Sequence, residues 1–513
     1  MNSPTAASTP LFIVLDNGGT NTKALVFDVQ GHQRAVSSFP TLWEQSGDGK
    51  REINLEGLVA ALFSAIKDVL ASPDIDARDI AAITCVGHGK GLYMLDGDGK
   101  IFRNAILSTD NRATALATQF AQREEEIYAL SAQHVMPSQA PLLLRWLKDN
   151  EPEDYAHIGA ILSAKDFVRY ALTGNIRQEI GDASSNNLVN LHTRQWDSKL
   201  LDFFGIFEMR DALPALIEAY DASSVVSVKT AEKTGLIAGT PVVAGLFDID
   251  AGAIGSGTVD GKSLSVIAGT WNINTYVADA PVDRSRGIMN SLFLNGKTLV
   301  EASSPTSAGN VDKMLRIIMP EELENDAPEV YRTLENYMAS TNADTTRVIY
   351  TPFLYGSNAD PYARGAFVGL TESTSRLEMM RAVYEGIAFA HKQHINDLLE
   401  ALRNVQGVQD AAPQTLRICG GASHSPAWMQ MFADITGMRV EILESEEISG
   451  LGGAILAAYA TGFYDSLDAA IAAMTQVGAV YEPREEQQAV YERKYGAYQA
   501  FLSAMDGAWE RLQ

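Results

Sequence analysis

The chain has 513 residues, 46% of them hydrophobic and 20% charged, with a formal net charge of −24. That length favours more than one domain, each with enough chain for its own core, and the mix is that of a soluble globular protein. So acidic a field repels nucleic acid and anionic membrane, which excludes both as expected partners, and any anionic ligand must be held by local N–H groups and a cation.

The first ten residues are small and polar, without the basic and apolar regions of a signal peptide, and no run is long enough to cross a bilayer. A cytoplasmic location is the expectation. Leu11–Asp28, LFIVLDNGGTNTKALVFD, reads as a β-hairpin whose first strand ends on Asp16 and whose turn holds Gly18, Gly19, Thr20 and Asn21. Successive N–H groups and a Thr hydroxyl in such a turn can surround phosphate oxygens, with Asp16 placed to ligate a metal bound to them. The same residues also make a plain hairpin.

Leu55–Leu70 has helical spacing, and Ile80–Val86 reads as a buried strand. Cys85 in that strand and Cys419 in a later apolar run read as buried thiols rather than a disulfide, in keeping with a reducing compartment. His88 and Lys90 follow in a Gly-rich turn, and Asp110 and Arg112 lie in the next turn, LSTDNR. Two polar clusters at neighbouring strand ends could converge on a polyhydroxylated ligand, although a His or Lys in a turn is more often simply solvated. Thr109–Leu130 and Ala140–Asp149 look helical, the second ending before Pro152. Lys165 and Asp166 read equally as a helix-start pair, and Asp182 follows in a small polar stretch. In Gly239–Gly257 an apolar strand runs through Gly245 to Asp248 at the seam between two halves, where a ligand cleft is favoured. Asp250, two residues on, reads as a cap or a solvent-facing acid.

Ser263–Asp279, SLSVIAGTWNINTYVAD, repeats the strand-turn-strand pattern with Gly269 and Thr270 in its turn. Two such units, each opening about half of the chain, suggest related domains over residues 1–249 and 250–513 that face each other across a nucleotide; two unrelated hairpins are the alternative. Leu377–Leu402 is a long amphipathic helix. Leu416–Cys419 is a strand that runs into Gly420, Gly421, Ala422 and Ser423 before a helix over Pro426–Thr436, a reasonable seat for a nucleotide. Gly450–Ala460 is a small-residue helix suited to tight packing.

Together these features resemble the sugar-kinase branch of the actin-like ATPase superfamily, and more closely the FGGY carbohydrate kinase family, over nearly the whole chain. The family's C-terminal signature fits GAFVGLTESTSRLEMMRAVYEG, Gly365–Gly386, residue for residue, and its N-terminal signature fits APLLLRWLKDN with Leu143 where Lys is usual. HGKGLYMLD, NAILSTDNRA, GTPVVAGLFD, EASSPTSAGN and TPFLYGSNA resemble the branch acting on L-xylulose-like keto-sugars, which usually carries Gln at the position of His88.

The resemblance implies an α/β fold of two actin-like (ribonuclease H-like) domains with a catalytic cleft between them, the N-terminal half (1–249) binding sugar and the C-terminal half (250–513) binding ATP. It implies transfer of phosphate from ATP to a sugar hydroxyl, with Asp248 as general base and Asp16 and Asp248 on the Mg²⁺ side. His88, Lys90, Asp110 and Arg112 match positions lining the sugar. Gly19, Thr20, Asn21, Gly269 and Thr270 match the phosphate turns, and Gly420, Gly421, Ala422 and Ser425 the adenosine pocket. D-Xylulose, D-ribulose, erythritol or glycerol are alternative acceptors, and a homodimer is compatible with the family. A non-catalytic sugar or nucleotide sensor is the reading from another class, but a transcriptional sensor should carry a basic DNA-binding region that this acidic chain lacks.

Overall fold

The computed structural model describes residues 9–269, 271–285, 287–357, 362–403 and 413–512, with only the backbone of Asp48. Two mixed sheets organise it. The first contains β1 (Leu11–Asn17), β2 (Asn21–Asp28), β3 (Gln33–Pro40), β4 (Ile80–Gly87), β5 (Ser224–Val225) and β6 (Pro241–Phe247), in the order β5-β6-β4-β1-β2-β3. β1 forms a hairpin with β2, β3 adds antiparallel outside it, and β4 and β6 add in parallel on the other side. β1 lies at the centre and is covered on both faces, which is why its sequence is continuously apolar rather than alternating.

The second sheet contains β7 (Ser263–Ala268), β8 (Asn272–Ala278), β9 (Ile288–Leu292), β10 (Thr298–Ser304), β11 (Thr415–Cys419), β12 (Arg439–Leu443) and β13 (Val477–Tyr481), ordered β9-β10-β8-β7-β11-β12-β13. Without β9 it repeats the first strand for strand. β7 opens a hairpin with β8, β10 adds antiparallel, and β11 and β12 add in parallel. β13 closes the edge antiparallel, as β5 does in the first sheet. The two hairpins recognisable in the sequence therefore occupy equivalent places in two copies of one topology.

Among the helices, α1 (Leu55–Leu70) starts where the Asn54 side chain accepts from Gly57 N–H at 2.7 Å. The stretch expected to be one helix over Thr109–Leu130 is instead a turn followed by α2 (Thr114–Ala121) and α3 (Glu125–Ser131). The Asp110 carboxylate accepts from the Arg112 N–H at 2.9 Å and so fixes a turn where periodicity alone would continue a helix. Further helices used below are α4 (Ala164–Thr173), α5 (Asp248–Gly255), α6 (Gly309–Ile318), α7 (Pro320–Ser340), α8 (Arg376–Leu402), α9 (Pro426–Thr436) and α10 (Ile448–Ala460). α8 begins with a capping box, Ser375 and Glu378 exchanging side-chain and backbone bonds.

The halves are joined where α5 crosses α10 in backbone contact. A Cβ on Gly255 would lie 1.9 Å from the Ile448 carbonyl oxygen, and one on Gly452 would lie 1.9 Å from that of Ala251. α10 also rests on the first sheet, so Val14, Val86, Leu246, Ile254, Leu451 and Ile455 share one core. The small-residue runs thus bring two helices close enough for both to pack under the strand ends. Cys85 and Cys419 are free thiols. Among the described residues, no helix is long and apolar enough to cross a membrane.

Candidate active site

The parallel strands β1, β4 and β6 end side by side, Asn17 pairing with Gly87 and Gly87 with Phe247. This delivers Asp16, His88 and Asp248 to the carboxyl edge of the first sheet, where open α/β sheets bind ligands. Gly245 makes the last turn possible. It stands at φ +90°, and a Cβ there would lie 1.8 Å from the Cys85 carbonyl oxygen. β6 shifts register between Val243 and Leu246, and Asp248 comes out on the first turn of α5.

Burial raises Asp248, the charges of Asp16 and Asp182 raise it further, and it reaches about 8 against the opposing pull of the Ile249 N–H and Lys90. Burial lifts Asp16 to about 6 although Lys23 pulls it down. Lys23 faces Asp16 across the β1–β2 hairpin and is held by Glu447 of the other half at 2.7 Å. Asp16 and Asp248 keep partial exposure, whereas a second acidic group behind them is sealed. Asp182 is 0% exposed and raised by burial to about 7, despite Lys165. Asp250 is 2% exposed and is raised well above its ordinary value by burial and by Glu179 and Asp182. The expectation of Asp250 as a cap or solvent-facing acid is corrected here. Two residues along a helix turn a side chain by about 200°, so Asp250 points away from the cleft and into the protein. Lys165 and Asp166 stand in the first turn of α4, as expected of a helix-start pair, and form a fully buried ion pair at 2.8 Å, with Glu179 at 3.4 Å.

On the expected sugar side, Leu92 bridges to Ile106, which makes the 88–91 and 107–112 turns neighbours. His88 is buried. Its Nδ1 donates to the Gly89 carbonyl at 3.2 Å, its Nε2 accepts from the Tyr93 hydroxyl at 2.9 Å, and burial lowers its pKa. Asp110 is fully buried, accepting from Arg51 N–H at 2.6 Å and from Arg112 Nη2 at 2.9 Å, while Arg112 also holds Glu52 at 2.8 Å. Asp110 and Arg112 therefore brace each other. His88 and Lys90 lie beside Asp248, with the Lys90 ammonium 5.6 Å from the centre of the Phe247 ring. Leu143, where the family signature carries Lys, is buried in an apolar cluster.

Across the cleft, a cavity of about 650 Å³ is lined by Gly269, Tyr331, Glu335, Gly421, Ser425 and Trp428, among others. Gly420, Gly421 and Ala422 turn the chain after β11, and Ser425 caps α9, accepting from Trp428 N–H at 3.2 Å and donating to Glu335. At Gly19, Gly269 and Gly421 an added Cβ would meet no protein atom within 4 Å. Packing does not require glycine at these three positions, and the open space leaves backbone N–H groups approachable by phosphate. Thr20 is exposed and Asn21 half-buried in the first turn. Thr270 lies outside the described residues. Tyr331, Glu335 and Trp428 were not read from the sequence as cavity residues. Trp428 stands three residues beyond Ser425 and carried a usable signal, whereas α7 bears no motif. Among the described residues, no three acidic, His or Cys side chains converge on a metal. Mg²⁺ held by one or two carboxylates and by phosphates needs no such cluster, so Asp16 and Asp248 fit it.

Two domains of one topology, joined by crossed helices, with acids at the strand ends and a nucleotide-sized cavity opposite, make this an actin-like ATPase fold. The ligand-bound xylulose kinase of Lactobacillus acidophilus has the same fold, with a TM-score of 0.88 at 23% identity, covering 98% of this chain and 100% of that one. The chain belongs to the FGGY family of carbohydrate kinases, whose N-terminal domain matches residues 11–255 and whose C-terminal domain matches residues 264–461. It is a sugar kinase. It is 31% identical to the L-xylulose/3-keto-L-gulonate kinase of Escherichia coli, over 98% of this chain and 99% of that protein. It is 33% identical to a probable L-xylulose kinase of Pasteurella multocida, over 96% of this chain and 99% of that protein.

Proposed function

We propose that this kinase transfers the γ-phosphoryl group of ATP, with Mg²⁺, to a hydroxyl of a small keto-sugar of the L-xylulose type, with Asp248 as general base. The observation that carries this is the register that brings Asp248 and Asp16 out together at the ends of β6 and β1, in a chain whose other half holds a glycine-open cavity. The acceptor class rests on the likeness to relatives named for L-xylulose and 3-keto-L-gulonate. In this reading residues 1–249 bind the sugar and residues 250–513 bind ATP.

A sugar hydroxyl is a weak nucleophile, and Asp248 takes its proton as the new O–P bond forms. A carboxyl raised to about 8 is a stronger base than an ordinary one, provided that it is ionised, and Lys90 favours the ionised form. Asp16 supplies a carboxylate that would hold Mg²⁺, which when bound would offset charge on the phosphoryl oxygens. Backbone N–H groups of the Gly19 and Gly269 turns hold the phosphates, and Glu335 with Ser425 shapes the nucleoside end. Closing the halves excludes water, the competing acceptor.

The test is ADP release with a panel of ketopentoses, polyols and 3-keto-L-gulonate. Strong stimulation by a keto-sugar is expected. Stimulation by glycerol or erythritol alone removes the acceptor class, and turnover indifferent to every acceptor removes the kinase reading.

A further inference from the structure

The cations around the cleft floor differ in what holds them. Lys23 is engaged by Glu447, Lys165 by Asp166 and Glu179, and Arg112 by Asp110 and Glu52. Lys90 is different: among the described residues its ammonium makes neither a hydrogen bond nor an ion pair; it lies against the Phe247 ring and acts on Asp248 through its charge alone. A ring face attracts a cation without using its N–H donors, so all three remain available.

The backbone shows that this placement is imposed. Lys90 stands at φ +61°, in the left-handed region that a lysine rarely adopts. The glycines on either side fix it there. A Cβ on Gly89 would lie 2.4 Å from the Phe247 ring, and one on Gly91 would lie 2.7 Å from the Ile106 carbonyl oxygen. The turn packs closely against these two groups, and only glycine fits on either side of Lys90. Strain kept at such a point is a mark of function.

We propose that Lys90 receives a carboxylate on the acceptor, so that the enzyme prefers a carboxylated keto-sugar to the neutral ketopentose related to it by loss of that carboxylate. This rests on reading the cleft as a sugar-phosphorylating site. Asp16 and Asp248 make the rest of the floor hostile to an anion, so an acidic sugar enters in one orientation only, with its carboxylate on Lys90. A neutral sugar leaves the ammonium N–H donors without a directly bound anion, with the charge of Asp248 felt only through space. The cation with free donors therefore selects for an acid.

The experiment compares kcat/KM for 3-keto-L-gulonate and L-xylulose in the wild type, Lys90→Met and Lys90→Arg. The wild type should favour the acid. Lys90→Met should lower kcat/KM for the acid by about 100-fold, in line with loss of a partner from a desolvated charge pair, and lower it for the neutral sugar by much less. Lys90→Arg should keep the order of preference. Equal losses on both sugars, which would place Lys90 on a shared hydroxyl or on the phosphoryl group, overturn the proposal, as does a wild type that favours L-xylulose. Turnover of other sugars but neither of these overturns the proposal and leaves the kinase reading standing. ADP release stimulated by no acceptor overturns both.

Discussion

Asp248 and Asp250 share one helical turn, and the fold treats them oppositely: one stands at the cleft, the other is sealed among Glu179 and Asp182. Asp250→Asn removes a buried acid that burial and its acidic neighbours already disfavour ionising, so activity should stay within about tenfold of wild type. A dead Asp250→Asn enzyme that still folds and binds ATP would move the base. Asp16→Ala should mainly weaken use of the metal-nucleotide complex, and a Mg²⁺ titration of the rate checks this: an unchanged metal requirement removes Asp16 from that role. Asp16 and Asp248 were readable because each ends an apolar run before a turn. The sealed group was not, because Lys165, the Glu179–Asp182 segment and Asp250 are far apart in sequence and meet only in the fold. Asp110 and Arg112 were found as a polar pair, but sequence could not show that each consumes the other's hydrogen-bonding capacity.

At the scale of elements, the crossing of α5 and α10 has no room for a methyl group. Gly452→Ala should destabilise the protein by about 3 kcal/mol, because backbone rather than a movable side chain stands in the way. Gly19→Ala meets no atom and should leave the melting temperature unchanged while weakening nucleotide binding. A Gly452→Ala protein as stable as Gly19→Ala would show that the crossing is looser than described. Tight packing was legible in GAIGSG and GLGGAILAAYA, but which helix each run meets is a tertiary fact.

A second junction ties α3 and the loop after it to the segment before β9. His134 Nδ1 donates to Glu124 at 2.8 Å, its Nε2 donates to the Ser285 carbonyl at 2.9 Å, and Arg284 also holds Glu124. Burial works against the charged ring, but the Glu124 and Ser285 bonds outweigh it and raise His134 above 6.5. A raised folded-state value means that this stabilisation is complete below about pH 6.5 and is lost as pH rises through the higher value. The difference in melting temperature between wild type and His134→Gln should therefore be larger at pH 6 than at pH 9. A constant difference would contradict a charged ring.

For the whole molecule, two copies of one sheet topology put the acids on one wall and the cavity on the other. This was the most legible level, because strand-turn-strand units recur in sequence and the topology repeats around them. The boundary between halves was less so, since α5 spans it and α10 returns from the second half to pack on the first sheet. The proposed role of Asp248, delivered to the cleft by β6, is to take the proton of a sugar hydroxyl during phosphoryl transfer from ATP. The most direct test is the initial rate of ADP release, with and without a saturating keto-sugar, for wild type and Asp248→Asn, with calorimetry to confirm that both still bind ligands. That role predicts strong stimulation of the wild type by sugar and a loss of about 10² to 10⁴-fold in Asp248→Asn with binding retained. An Asp248→Asn enzyme that keeps its sugar-stimulated rate would contradict it.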